Sequence, residues 1–148
     1  MDRVIVAVAL AAVVVVIALL VQRRRPDAPT QPKGGYRAPA QLDRSDFEDP
    51  GTPWLVAVFT SATCDSCAEV WSKAAVLSSD QVVVQEIEAT RDHDLHERYG
   101  IQAVPIVAIA GPDGAVGASF MGPVSATHLW AAVADLRDPG SVPPGCAD

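Results

Sequence analysis

Trp54-Leu55-Val56-Ala57-Val58-Phe59-Thr60-Ser61-Ala62-Thr63-Cys64-Asp65-Ser66-Cys67 is the stretch whose reading decides the fold. Its first six residues are all apolar, the pattern of a central strand buried on both faces. Thr52-Pro53 stands in front of it as a stop for whatever precedes. From Cys64 to Leu77 the apolar residues fall at Cys67, Val70, Trp71, Ala74, Ala75 and Leu77, which is helical spacing. A strand therefore runs through a short loop into a helix that opens with two cysteines three positions apart. A thiol at a helix N-terminus meets unsatisfied backbone N–H groups and the positive end of the dipole, and both favour the thiolate. A second thiol one turn further on can attack a mixed disulfide made by the first. The arrangement predicts a dithiol exchange site, with Cys64 exposed and Cys67 resolving.

Working downstream, Val82 to Ile87 is a second strand-like run rich in β-branched residues, and Arg91 to Arg98 is a short polar helix stopped at Gly100. A third strand follows from Val104 to Ala110, opened by Pro105 rather than interrupted by it. Gly111-Pro112-Asp113-Gly114 is a turn signal, and Ala115 to Met121 returns as a fourth strand. A turn that short makes the last two strands an antiparallel hairpin. Ser125 can cap a final helix to about Leu136, with Leu129, Trp130, Val133 and Leu136 on one face. The order β-α-β-α-β-β-α predicts an α/β sandwich with a mixed sheet.

At this point the chain resembles the thioredoxin-like fold family, over about Asp46 to Leu136. The resemblance rests on Phe59 to Cys67, on Arg98-Tyr99-Gly100-Ile101-Gln102-Ala103-Val104-Pro105, on the turn at Gly111 to Gly114, and on Gly122 before the last helix. It implies a cis Val104-Pro105 bond lying beside the two cysteines and shaping a groove for an extended substrate. Proline suits both roles, because a cis bond costs little before it and it has no N–H to engage.

The sequence also departs from the family's usual pattern. Thr63 stands where typical members carry Trp, and Asp65-Ser66 replaces Gly-Pro between the cysteines. Val58 occupies the place of a buried Asp that assists proton transfer to the resolving thiol, and Glu86 the place of a Lys that pairs with it. Asp65 adds negative charge next to Cys64 and is expected to oppose the thiolate. Glu86 or water is left to carry the proton, or exchange is slow.

Working upstream, Val4 to Val21 is an unbroken apolar run of eighteen residues. As a helix it reaches roughly 27 Å, enough for a bilayer core, and in lipid the backbone must satisfy itself. Only Arg3, offset by Asp2, precedes the run, while Arg23-Arg24-Arg25 follows it, so an uncleaved anchor is expected rather than a cleavable signal peptide. The basic flank places the soluble region in the cytoplasm by the positive-inside tendency, an extracytoplasmic domain being the alternative. Pro26, Pro29, Pro32 and Pro39 with Gly34 and Gly35 make the next segment an extended tether. The predicted organisation is an anchor at 1–22, a basic Pro/Gly-rich tether at 23–40, a thioredoxin-like domain at 41–137 and a flexible tail at 138–148.

Charge separates these regions. Residues 1–37 hold six basic and two acidic groups, and the rest five basic against sixteen acidic. Within the net charge of −7 there is no basic face for nucleic acid. The acids Asp43, Asp46, Glu48 and Asp49 read as solvated surface. His93 and His96, with the two cysteines, would formally make a zinc set. The gap of twenty-five residues and the i,i+3 spacing do not match a compact finger, so these histidines read as solvated and no metal or organic cofactor is expected. Cys146 reads as a bystander thiol in the tail. The whole predicts a monomeric, single-pass, membrane-tethered thiol–disulfide oxidoreductase acting on protein disulfides or dithiols through Cys64 and Cys67. The alternative is a thioredoxin-fold binding module with weak or no turnover.

Overall fold

A computed structural model describes residues 36–142. The apolar run at 4–21, most of the tether, and Cys146 lie outside the described residues. Among the described residues no helix is long and apolar enough to cross a membrane.

Four strands and three helices follow the expected order: β1 Trp54–Thr60, α1 Cys67–Ala75, β2 Val82–Glu88, α2 His93–Arg98, β3 Ile106–Ala110, β4 Val116–Met121 and α3 Ala126–Arg137. They build one mixed sheet in the order β2-β1-β3-β4. β1 pairs parallel with β2 and antiparallel with β3, and β3 pairs antiparallel with β4. The parallel pair needs a crossover, which α1 supplies. β1 is buried from Leu55 onward. Its alternate residues feed two cores, which is why its sequence reads as unbroken apolar. Leu55, Ala57 and Phe59 pack with Leu42, Phe47, Ile87 and Ile106. Val56 and Val58 face the other way, onto Val70 and Ala74 of α1 and Leu129 and Val133 of α3. β3 begins at Ile106 rather than Val104, because a proline before it has no N–H for the ladder.

The helix ends follow local chemistry. Ser125 accepts from the His128 N–H and caps α3 as expected. Gly100 ends the α2 region with φ of +62°, a left-handed conformation that glycine adopts at least cost.

Two expectations about polar residues are corrected. His96 is not solvated: it is 8% exposed, its Nε2 lies 2.9 Å from the Ile87 carbonyl, and its ring meets Phe59 edge-on. A carbonyl only accepts, so Nε2 carries the proton. His93 is exposed, as read. The acidic cluster is not uniformly solvated either. Asp43 caps a 3₁₀ turn at Arg44–Asp46 by accepting from the Ser45 N–H. Asp46 accepts from Arg98 at 2.8 Å and from the Tyr99 hydroxyl. Burial, and then the bond to Asp46, push the Tyr99 hydroxyl up to about 12. Asp43, Glu48 and Asp49 remain exposed, as read.

The N-terminal segment is sewn to the hairpin. Arg44, 8% exposed, donates to the carbonyls of Gly111 at 3.1 Å and Thr52 at 2.8 Å, and burial lowers its pKa. Leu42 N–H donates to the Gly114 carbonyl at 2.9 Å. Gly114 has φ of +76°, and a Cβ there would meet the Leu42 carbonyl oxygen at 1.9 Å. A Cβ at Gly100 would meet nothing within 4 Å. Gly100→Ala is therefore expected to cost about 1 kcal/mol from the left-handed backbone alone. Gly114→Ala is expected to cost about 3 kcal/mol, because backbone must move apart. Urea midpoints of the two variants check the ordering.

Candidate active site

β1 ends at Thr60, and the chain crosses residues 61–66 before entering α1. Two successive turns build this crossing: Cys64 N–H donates to the Ser61 carbonyl at 3.1 Å, and Cys67 N–H to the Cys64 carbonyl at 3.3 Å. They delay the helix. α1 begins at Cys67, so Cys64 lies in the turn before it and Cys67 is the first helical residue, not one turn inside. Cys67 is shielded all the same, at 3% exposure, while Cys64 is only partly buried. A disulfide joins the two, with their Cα atoms 5.5 Å apart.

The loop is held from β2. Parallel pairing makes β1 and β2 end at the same edge, with Thr60 in register with Glu88. The Ala89 N–H donates to the Thr60 carbonyl at 2.9 Å. The Glu88 carboxylate accepts the Ala62 N–H at 3.0 Å and those of Thr90 and Arg91 at 2.9 Å each. These donors, Arg91's first and Ala62's next, hold Glu88 below the usual carboxylate range. Sequence reasoning missed Glu88. The available signal was topological: a carboxylate at the end of a strand parallel to the one that feeds the cysteines.

Pro105 enters the same edge from the other side. Phe59 is in register with Ile106, so the residue before Ile106 stands where β1 gives way to the cysteine loop. The Val104–Pro105 bond is cis, as the resemblance implied. Pro105 is buried, Val104 partly so, and the Pro105 carbonyl accepts from the Gly122 N–H at 2.8 Å.

The remaining expected residues meet different surroundings. Asp65 is exposed between the cysteines. Glu86 is in register with Val58 on the α1 side of the sheet, where its carboxylate accepts from the buried Thr60 hydroxyl at 2.9 Å. The α2 histidines take no part: His96 is turned onto Ile87. Among the described residues no group of three or more His, Cys, Asp or Glu is placed to hold a metal ion.

No family model matches the chain. A probable thioredoxin of Methanothermobacter thermautotrophicus is 34% identical over 83 residues, which is 54% of this chain and 92% of that protein. The chain belongs to the thioredoxin family. A second probable thioredoxin, from Methanothermobacter marburgensis, is 32% identical over the same length and the same shares. Among solved structures, a variant thioredoxin from Halobacterium salinarum superposes with a TM-score of 0.53 at 19% identity, covering 74% of this chain and all of that one. The germline-specific thioredoxin Deadhead of Drosophila melanogaster gives 0.53 at 23% identity, covering 68% of this chain and 99% of its own. At those identities the two structures speak for the fold alone. With its Cys64–Cys67 pair, this thioredoxin is a thiol–disulfide oxidoreductase.

Burial sets the order of reactivity. In the reduced protein Cys64 is expected to alkylate at least about tenfold faster than Cys67 at neutral pH, since the thiolate must be reached as well as formed. Peptide mapping after brief iodoacetamide treatment checks this.

Proposed function

We propose that this thioredoxin is tethered to a membrane through residues 4–21 and exchanges disulfides with protein substrates at the membrane surface, Cys64 attacking and Cys67 resolving. The observation that carries the reading is the pairing of a partly exposed Cys64 with a buried Cys67 at the sheet edge entered by cis Pro105.

In the reducing direction the Cys64 thiolate attacks one sulfur of a substrate disulfide. The substrate's other sulfur leaves as a thiolate and takes a proton from solvent. Cys67 then loses its proton and attacks Cys64 Sγ, which breaks the mixed disulfide. The substrate's second thiol departs, and the Cys64–Cys67 disulfide is left. Pro105 and Val104 shape the groove in which an extended substrate lies, since Pro105 has no N–H of its own to pair. Val58 gives the resolving thiol no acid–base partner. Glu86, in register with Val58 on the same face, is the carboxylate that takes over the proton. Asp65 is exposed and repels anionic substrates as well as the thiolate beside it.

The anchor rests on the eighteen-residue apolar run, and the side of the membrane on Arg23–Arg25, which favour a cytoplasmic domain facing a reducing thiol pool. The functional divisions are those of the sequence: anchor to 22, tether to 40, catalytic domain to 137, then the tail.

Cys67→Ser, expressed as the full chain, is expected in carbonate-washed membranes, carrying substrate proteins in mixed disulfides that a reductant releases. Cys64→Ser should carry none. A chain recovered wholly in the soluble fraction overturns the tether. Equal, empty lanes for both variants overturn the redox reading in favour of a binding module.

A further inference from the structure

Serine is among the preferred residues at a helix N-cap, because its oxygen accepts an N–H of the first turn that otherwise has no partner. Ser125 does this for α3, accepting from the His128 N–H at 3.2 Å. Ser66 occupies the same position before α1 and does not: its backbone is already helical, at φ −91° and ψ −11°, and its side chain makes no capping bond. Its hydroxyl lies instead 3.8 Å from Cys64 Sγ. A cap has been forgone, and the oxygen sits beside the reacting sulfur.

Several other donors of the loop are committed. The Ser61 and Thr63 hydroxyls pair with each other at 3.1 Å, and the Thr60 hydroxyl is bound to Glu86 at 2.9 Å. The N–H groups of Ala62, Cys64 and Cys67 go to Glu88, the Ser61 carbonyl and the Cys64 carbonyl. Among the described residues, the side-chain hydrogen bond to Cys64 Sγ comes from Ser66.

We propose that Ser66 is a catalytic residue, donating its O–H to the Cys64 thiolate and offsetting the charge of Asp65. This rests on Cys64 being the nucleophile. When a dithiol substrate reduces the pair, two electrons enter the Cys64–Cys67 bond and the substrate becomes a disulfide. Of the two protons the substrate gives up, one goes to Cys67 and one to solvent, and Cys64 is left as the thiolate that Ser66 holds. In the opposite direction the same bond stabilises the attacking group before it meets a substrate disulfide. A hydroxyl fits this place because it rotates. It donates to a thiolate, and it accepts or turns to water when Cys64 is protonated. Asp65 is exposed, so its opposing charge is screened by solvent, whereas the Ser66 contact is direct.

The test is the pH dependence of Cys64 alkylation in the reduced full chain, for wild type, Ser66→Ala and Ser66→Thr. Ser66→Ala is expected to move the midpoint up by about half to one pH unit, because it removes a donor to the charged form. Ser66→Thr keeps the hydroxyl and should stay within about 0.3 unit of wild type. The thermal midpoint of unfolding should be the same in Ser66→Ala, since no cap is lost, which separates this role from a structural one. An unmoved midpoint in Ser66→Ala, with Cys64 still the first thiol to react, overturns the role of Ser66 alone. So does an equal shift in both variants. A profile that belongs to Cys67 overturns instead the assignment of the nucleophile on which the proposal rests.

Discussion

The backbone ladder of β1, hydrogen-bonded in parallel to β2 and antiparallel to β3, is the constraint on which the redox edge depends. Parallel pairing makes β1 and β2 finish together, so the loop leaving Thr60 runs beside Glu88 and can be clamped by it. Antiparallel pairing makes β3 begin where β1 finishes, so Pro105 arrives at the same edge. The ladder is fixed in turn by burial on both sides. A shift of one residue would exchange Val56 and Val58, which face α1 and α3, with Leu55, Ala57 and Phe59, which face Phe47 and Ile87. Both cores would be lost at once, so the register is strongly specified.

Three carboxylates near this edge do different things because their surroundings differ. Glu88 is held ionised by backbone N–H groups and acts as a clamp on the loop. Its folded pKa is lowered, so its contribution to stability is present above the unfolded value and is lost as the pH falls through the folded one. Glu86 is turned to the Thr60 hydroxyl and lies on the α1 face. Asp65 is in solvent. Val58 keeps the centre of that face apolar, which favours tight packing of β1 against Val70 and Ala74 of α1.

Most of the architecture was legible in the sequence because it follows from local pattern. The apolar run of β1, the helical spacing after Cys64, the Gly111–Gly114 turn and the Ser125 cap each show within a dozen residues. The cysteine pair and Pro105 could be placed at one edge once the family was in view. What stayed hidden depends on partners far apart in the chain. Nothing near Arg44 in the sequence signals its burial, because its guanidinium is held by the Gly111 carbonyl, 67 positions away. Asp46 reads as solvated until Tyr99 and Arg98 are brought to it. His96 reads as a surface histidine because its helix is polar, yet the ring covers Phe59. α1 starts three residues later than the helical spacing implies for another reason: the two turns that delay it are hydrogen bonds of the loop, not a periodicity. The same turns leave Ser66 looking like a cap that it is not.

The central claim is that Cys64 and Cys67 form a working redox couple despite Val58. The most direct test equilibrates the full chain in detergent at pH 7 across thiol–disulfide buffers, approached from the reduced and the oxidised sides, and quenches by alkylation to count free thiols. The account predicts one transition, the same from both directions, with a two-electron slope of about 30 mV per tenfold change in the ratio. Cys64→Ser should abolish it. A pair that stays disulfide-bonded across the whole range, or that fails to converge from the two sides, would contradict the account.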